Sequence, residues 1–264
     1  MTQLTDDKRF ANTLARGLNI LRAFRPTDNG LTNMELSERT GIPRSTISRL
    51  TFTLCALGYL SHGRHHERYR LGPASLALGN IAAASFAFVD IAGPIMQKLA
   101  DETSALVGVA LQDDGEMLMV KTWRPVRSPT IWLDVGYRMP MLSSSTGASF
   151  IGALSKAELG SLKDKLPEID APHLADFHKA ARDSIVSKGY ALISGEQRFT
   201  QSINAIAAPY RPSEFGEPVS ILCGAASETL SETAIVETVG PALAEAVRAL
   251  CVATGQPFSV VEGV

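Results

Sequence analysis

Apolar residues in the N-terminal quarter of the chain recur at the three- and four-residue spacing of a helix. Leu14, Leu18, Leu21 and Phe24 make one such stripe, with Asn12 or Thr13 placed to cap it. Pro26 and the turn Asp28-Asn29-Gly30 end it. Thr32-Asn33-Met34-Glu35 then has the form of a capping box, with Thr32 at the N-cap and Glu35 three residues on, and Leu36 falls on the inward side. Thr40-Gly41 closes this second helix, because glycine accepts the left-handed conformation that follows a helix end. Pro43 opens a third, where its missing N–H is no loss. In that helix Ile47, Leu50, Leu54 and Leu57 face the core.

The period then changes. Tyr59-Leu60 and Arg68-Tyr69-Arg70-Leu71 read as two short strands around Gly63-Arg64-His65-His66, with Tyr69 and Leu71 on one face and Arg68 and Arg70 on the other. A helical segment follows Pro73, with Leu76, Ala77, Ile81, Ala84, Phe88 and Ile91 on its apolar side and Pro94 expected to break or kink it. Beyond it, Ala105 to Leu111 and Met117 to Trp123 flank the hairpin turn Asp113-Asp114-Gly115. Strands are also expected over 130–135, 191–193, 203–208 and 219–225, and helices over about 146–155, 174–188 and 232–252. Mixed elements without regular βαβ alternation give an α+β chain with an antiparallel-rich second domain.

Two helices joined by a short glycine-containing turn, followed by a hairpin, form a winged helix-turn-helix. Its second helix enters the major groove with its N-terminal residues at the base edges. Arg44, Ser45, Thr46, Ser48 and Arg49 stand on the outer face of that helix, and these residue types suit base and phosphate contacts. Arg64, Arg68 and Arg70 would place the hairpin on the DNA backbone. The helix pattern alone also allows a protein-interaction domain with a solvated basic face.

Whole-chain charge conceals this basic part. The 264 residues carry a formal net charge of -2, which argues against nucleic acid when taken as a mean. Residues 1–72 hold eleven Lys and Arg against six Asp and Glu, a net +5; the remainder holds fourteen against twenty-one, a net -7. A basic segment joined to an acidic body points to an anionic partner for the former. Cys55, Cys223 and Cys251 form no disulfide or zinc framework, and His62, His65 and His66 lack a fourth ligand at a known spacing, so no metal and a reducing, cytoplasmic setting are expected. No signal peptide is visible before Asp7, and the apolar run Leu76 to Val89 is too short to span a membrane.

The stretches LTNMELSERTGIPRSTISRLTFTLCALGYL (31–60) and YRLGPASLALG (69–79) resemble the IclR (isocitrate lyase regulator) family of bacterial transcription regulators. The likeness continues through GYRMPMLSSSTGASFIGAL (136–154), GYALISGEQ (189–197) and INAIAAPY (203–210). It implies a two-domain α+β chain: a winged helix-turn-helix over 8–72, a linker and dimerisation helix over 73–93, and a GAF-like effector-binding domain over 94–264. It also implies a DNA operator, a small-molecule effector, assembly as dimers or tetramers, a repressor's role and no cofactor. By the resemblance the effector residues are Ser143, Ser144, Ser145, Thr146, Gly147, Glu196, Asn204, Ala205, Cys223 and Ala225. Relatives that bind small carboxylates have Asp near position 196, Cys at 205 and Ser at 223 and 225. The losses here point to a larger or less polar ligand, such as an aromatic acid. Arg124, Arg198 and Asn204 are candidate carboxylate anchors. GxSxG, HExxH, the P-loop and a strand-linked GxGxxG are absent. The competing reading is a small-molecule hydrolase with a serine of 143–145 as nucleophile and His173 or His178 as base.

Overall fold

The computed structural model describes residues 7–63, 68–166 and 169–257. The chain forms two compact units, 1–86 and 87–264.

In the first unit, α1 (Asn12–Arg22), α2 (Asn33–Thr40) and α3 (Arg44–Ala56) pack around Ile20, Leu31, Leu36, Ile42, Ile47 and Leu60. Thr32 caps α2 as its sequence requires: its Oγ1 accepts the Glu35 N–H, and the Glu35 carboxylate accepts the Thr32 N–H at 2.7 Å. Gly41 terminates α2 at φ 68°. The start of α1 differs from expectation. Its N-cap is Ala11, with no side-chain cap, and Leu14 and Leu18 are exposed while Gly17 and Ile20 point inward. The apolar stripe of α1 is thus wider than its buried face. Leu57 is also exposed, because α3 has ended before it.

The hairpin pairs β1 (Leu60–His62) with β2 (Tyr69–Leu71) in antiparallel register, His62 opposite Tyr69. Arg64 lies outside the described residues. The helix after Pro73 stops early. α4 (Pro73–Ala84) ends where the N–H groups of Ser85 and Phe86 bond to Ala82 and Ala83, and α5 (Ala87–Thr103) carries Pro94 within it, so the break precedes the proline by eight residues or more. None of α4 is buried.

The second unit is built on an antiparallel six-stranded sheet, order β5-β4-β3-β8-β7-β6, from β3 (Leu106–Asp113), β4 (Glu116–Trp123), β5 (Arg138–Pro140), β6 (Ala191–Leu192), β7 (Ile203–Tyr210) and β8 (Val219–Ala226). Asp114 and Gly115 join β3 to β4 with φ 55° and 81°, the positive pair that a two-residue primed turn needs. Residues 130–135 form no strand. Gly136 and Tyr137 already bond the backbone of Met119, and β5 occupies the edge of β4 beyond them. Ile131 and Leu133 still turn inward while Trp132 stays out, so the alternation marks burial without a ladder.

Strand alternation gives the sheet two working faces. Against one lie α6 (Ser145–Gly152) and α8 (Ala171–Lys188): the Ser220 hydroxyl donates to the Thr146 carbonyl at 2.7 Å. Against the other lie α5 and α10 (Gly240–Thr254): Phe88 meets Tyr210 with ring centroids 5.3 Å apart, and Tyr210 donates to Thr254. A short helix, α9 (Glu232–Ala234), and a π-turn, Ile235–Val239, lead into α10.

One helix went unread in the sequence: α7 (Lys156–Lys165), opened by a capping box between Ser155 and Glu158. Glu158 also accepts both Arg211 nitrogens, at 2.8 and 3.2 Å. Burial raises the acid's pKa, but the Arg211 and Ser155 hydrogen bonds outweigh it and leave the value at about 2. A carboxyl depressed from 4.5 in the folded state contributes stability above its unfolded pKa and loses it as pH falls from 4.5 towards 2. Glu158→Ala should therefore cost about 2 kcal/mol at pH 7 and lower Tm by roughly 4–8 °C. The deficit should shrink when melting is repeated near pH 3; a deficit independent of pH would contradict the ion-pair origin.

Candidate nucleic-acid interface and ligand cleft

The outer face of α3 follows from its inner one. Ile47 and Thr51 are buried, and Leu50 and Leu54 pack beside them, which turns Arg44, Ser45, Ser48 and Arg49 to solvent with Thr46 half-buried. No described residue holds the guanidinium of Arg44 or Arg49, and α3 contains no acid. Two unpaired cations and several hydroxyls on one helix face are ready for an anionic groove.

The hairpin arginines are differently placed. Arg68 donates to the Gly30 carbonyl at 2.8 Å and pairs with Glu35, while Arg70 donates to Asn29 Oδ1. Both tie β2 to the loop between α1 and α2. Their exposed parts can still approach phosphate, but Arg68 brings a neutralising carboxylate with it.

In the second unit, Ser144, Ser145 and Thr146 start α6 and are buried. Ser144 Oγ accepts the Gly147 N–H and donates to the Pro140 carbonyl. Ser145 Oγ donates to the Ala205 carbonyl at 2.7 Å and accepts the Ile193 N–H. These hydroxyls fasten α6 to its neighbours, and Thr146 turns to Ser144 and the Met139 sulfur. Next to them lies a cleft of about 370 Å³, counted to its open mouth, lined by Ile131, Leu133, Met139, Phe199, Ile203 and Leu222 together with Ala205 and the three hydroxyl residues. A second hollow of about 260 Å³ shares Ser144, Ser145, Phe199, Ile203 and Ala205 and adds Ser143, Arg198 and Thr200. The Arg198 guanidinium sits at the second hollow's wall, bonded to the carbonyls of Gly195 and Ile203 and paired with Glu232 at 3.4 Å.

The other residues named from sequence do not join this group. Gly147 is buried beneath it, and Glu196 is exposed in a 3-10 turn. Cys223, Ala225 and Asn204 stand on the opposite face of the sheet. Cys223 meets Thr103 of α5 at 3.6 Å, and its burial pushes the thiol up to about 12; Asn204 donates to the Leu230 carbonyl. On β8 the cleft side belongs to Ser220, Leu222 and Gly224, because a shift of one residue changes the face. Ile131, Leu133 and Met139 were missed; only the apolar alternation of 131–133 marked any of them beforehand. Arg124 is not itself a lining residue: it donates to the Leu133 carbonyl at 3.0 Å, stacks 4.3 Å from Trp132 and pairs with Asp134.

The hydrolase reading gains no support. His178 bonds the Leu154 carbonyl and His173 is exposed on α8, while the hydroxyls of Ser144 and Ser145 are engaged with carbonyls. Among the described residues no group of three or more His, Cys, Asp or Glu could hold a metal, and no single helix is long and apolar enough to cross a membrane.

A winged unit with a free basic helix, joined to a sheet domain with an apolar cleft, defines a ligand-responsive DNA-binding regulator. Residues 13–63 match the IclR helix-turn-helix domain, and residues 82–252 match the bacterial transcriptional regulator IclR C-terminal domain. The chain belongs to the IclR family of transcriptional regulators, not to an enzyme family. It is similar to an IclR family transcriptional regulator from Brucella abortus, with 31% identity, 94% of each chain covered and a TM-score of 0.74. It is 28% identical to the Pca regulon regulatory protein of Pseudomonas putida over 78% of this chain and 71% of that protein. An IclR homologue from Microbacterium hydrocarbonoxydans solved with 4-hydroxybenzoate shares the fold, at 18% identity, a TM-score of 0.64 and coverage of 90% and 99%.

Proposed function

We propose that the chain is a cytoplasmic repressor, acting as a dimer or dimer of dimers, that responds to an aromatic carboxylic acid. The observation that carries the effector class is the lining of the cleft: eight apolar residues beside hydroxyls that are already engaged with the protein. An aromatic ring suits such walls, and Arg198 in the adjoining hollow offers charge to a carboxylate. A two- or three-carbon keto acid offers little apolar surface to such walls. The relative solved with 4-hydroxybenzoate is consistent with that class of ligand. Of the residues put forward from sequence, Ser143, Ser144, Ser145, Thr146 and Ala205 are retained as lining.

Self-association is supported by exposed apolar side chains on α1 (Leu14, Leu18) and α4 (Leu76, Leu78, Ile81), more than a small winged unit can cover by itself. We keep 8–72 as the DNA-binding domain, 73–93 as the linker and dimerising segment, and 94–264 as the effector domain. An effector changes operator affinity only by binding the DNA-competent and DNA-incompetent states differently.

Calorimetry with benzoate, 4-hydroxybenzoate, pyruvate and glyoxylate tests the ligand class. The aromatic acids should bind, raising stability by about 2.7 kcal/mol at a hundred times Kd. Ala205→Leu, which fills the space beside Ser145, should remove that binding. Tight binding of a keto acid with none of either aromatic acid would reverse the assignment.

A further inference from the structure

The outer face of α3 holds one large residue that polar recognition does not use. Phe52 is 76% exposed, in a helix whose inner face is well covered. At 100° per residue, Ser45, Ser48, Arg49 and Phe52 fall on one stripe, and Phe52 stands one turn beyond Arg49, about 4.5 Å further along the axis. It points away from Ile47, Thr51 and Leu54, so packing does not require it. Towards the helix start its neighbours are Ser48 and the unpaired cation Arg49, and towards the helix end Cys55 and the exposed Ala56, on a helix without a single acid. That charge pattern suits DNA.

We propose that Phe52 is a base-reading residue whose ring packs against the C5-methyl group of a thymine in the major groove. Thymine is the one base that shows a methyl there, and an apolar side chain is the complement that distinguishes it. Arg44, Arg49 and the serine hydroxyls supply charge and hydrogen bonds, and Thr46, whose methyl is the other possible partner for a thymine, is half-buried in the first turn. Phe52 adds that selection in the third turn of the helix. The inference rests on α3 being the DNA-reading helix.

Duplexes selected by the full-length protein from a random-sequence library provide the probe. Each thymine in the selected site is replaced in turn by deoxyuridine, which removes only the methyl. At one or more positions the replacement should weaken wild-type binding about four-fold, the loss expected for one buried methyl group. The same replacement should make no difference to Phe52→Ala, because the methyl's partner is already gone. Phe52→Ala should also bind an unrelated duplex as the wild type does, with the same salt slope, since no charge is lost. Its melting temperature should match the wild type, as the ring is exposed. If no deoxyuridine effect is erased by Phe52→Ala, the assignment is overturned. If Phe52→Ala alters the sedimentation coefficient, Phe52 belongs to a contact between copies and the assignment also falls. A library that yields no preferred site at all would remove the DNA-reading role of α3 itself, and Phe52 with it; a preferred site sensitive to Arg49 but not to Phe52 removes Phe52 alone.

Discussion

Arg49→Ala should reduce affinity for the selected operator by a hundred-fold or more while leaving the folded state intact. The guanidinium is exposed on the outer face of α3 and no described residue holds it, so truncation leaves no protein group without a partner. Its loss removes the side chain best suited to a bidentate contact with guanine, worth about 1–3 kcal/mol per base pair read. A dimer that makes the contact in both half-sites loses it twice. The salt dependence of residual binding should become shallower as well, because a protein with fewer cations at the DNA releases fewer counterions on binding. A gel-shift titration at two salt concentrations, with a thermal melt of the same preparation, checks both parts. Unchanged operator affinity would place base reading elsewhere. Arg68 offers no such clean test: its removal would free Gly30 and Glu35 and loosen the base of the hairpin.

Gly147→Val should prevent the second unit from folding properly. Gly147 lies in the first turn of α6, where a Cβ would stand 1.8 Å from the Met141 carbonyl oxygen and 2.6 Å from its carbon. Both obstructing atoms are backbone, so no rotamer change relieves the clash. The surroundings cannot give way either, since Ser144 and Ser145 fasten the start of α6 to Pro140 and Ala205, and Ser220 fastens Thr146. Overlap of this depth belongs among the rare substitutions that cost more than about 4 kcal/mol. We expect a Tm lower by ten degrees or more, or insoluble protein, and loss of any ligand-induced stabilisation. A variant that melts like the wild type would show that α6 can move away from residue 141. Gly147 thus allows α6 its close approach to the backbone of Met141.

Elements set by local rules were legible from the residues. The capping box of α2, the glycine at its end, the proline before α3 and the Asp-Gly turn between β3 and β4 all depend on neighbours within four residues. The outer face of α3 was legible too, because helical spacing fixes which side chains oppose Ile47. Local rules failed where a distant partner decided the outcome. Residues 130–135 have a strand's alternation, yet Gly136, Tyr137 and β5 already occupy the edge of β4. Leu14 and Leu18 have the spacing of a core stripe but face solvent in the single chain.

The cleft shows the same division. The polarity of its candidate residues suggested a site, and Ser144, Ser145, Thr146 and Ala205 do line it. Cys223 and Ala225 were drawn in by sequence likeness, though the pairing of β8 with β3 turns them to the far face. Periodicity, capping and charge asymmetry are properties of the chain itself, so the sequence alone determined a winged helix-turn-helix with a basic reading helix and a separate acidic α+β domain. Which face of each strand meets the cleft, which hydroxyls are engaged, and which arginines are paired were decided only by tertiary structure. Register, ion pairing and burial depend on partners tens of residues away, and a change of one residue in strand register exchanges one face for the other.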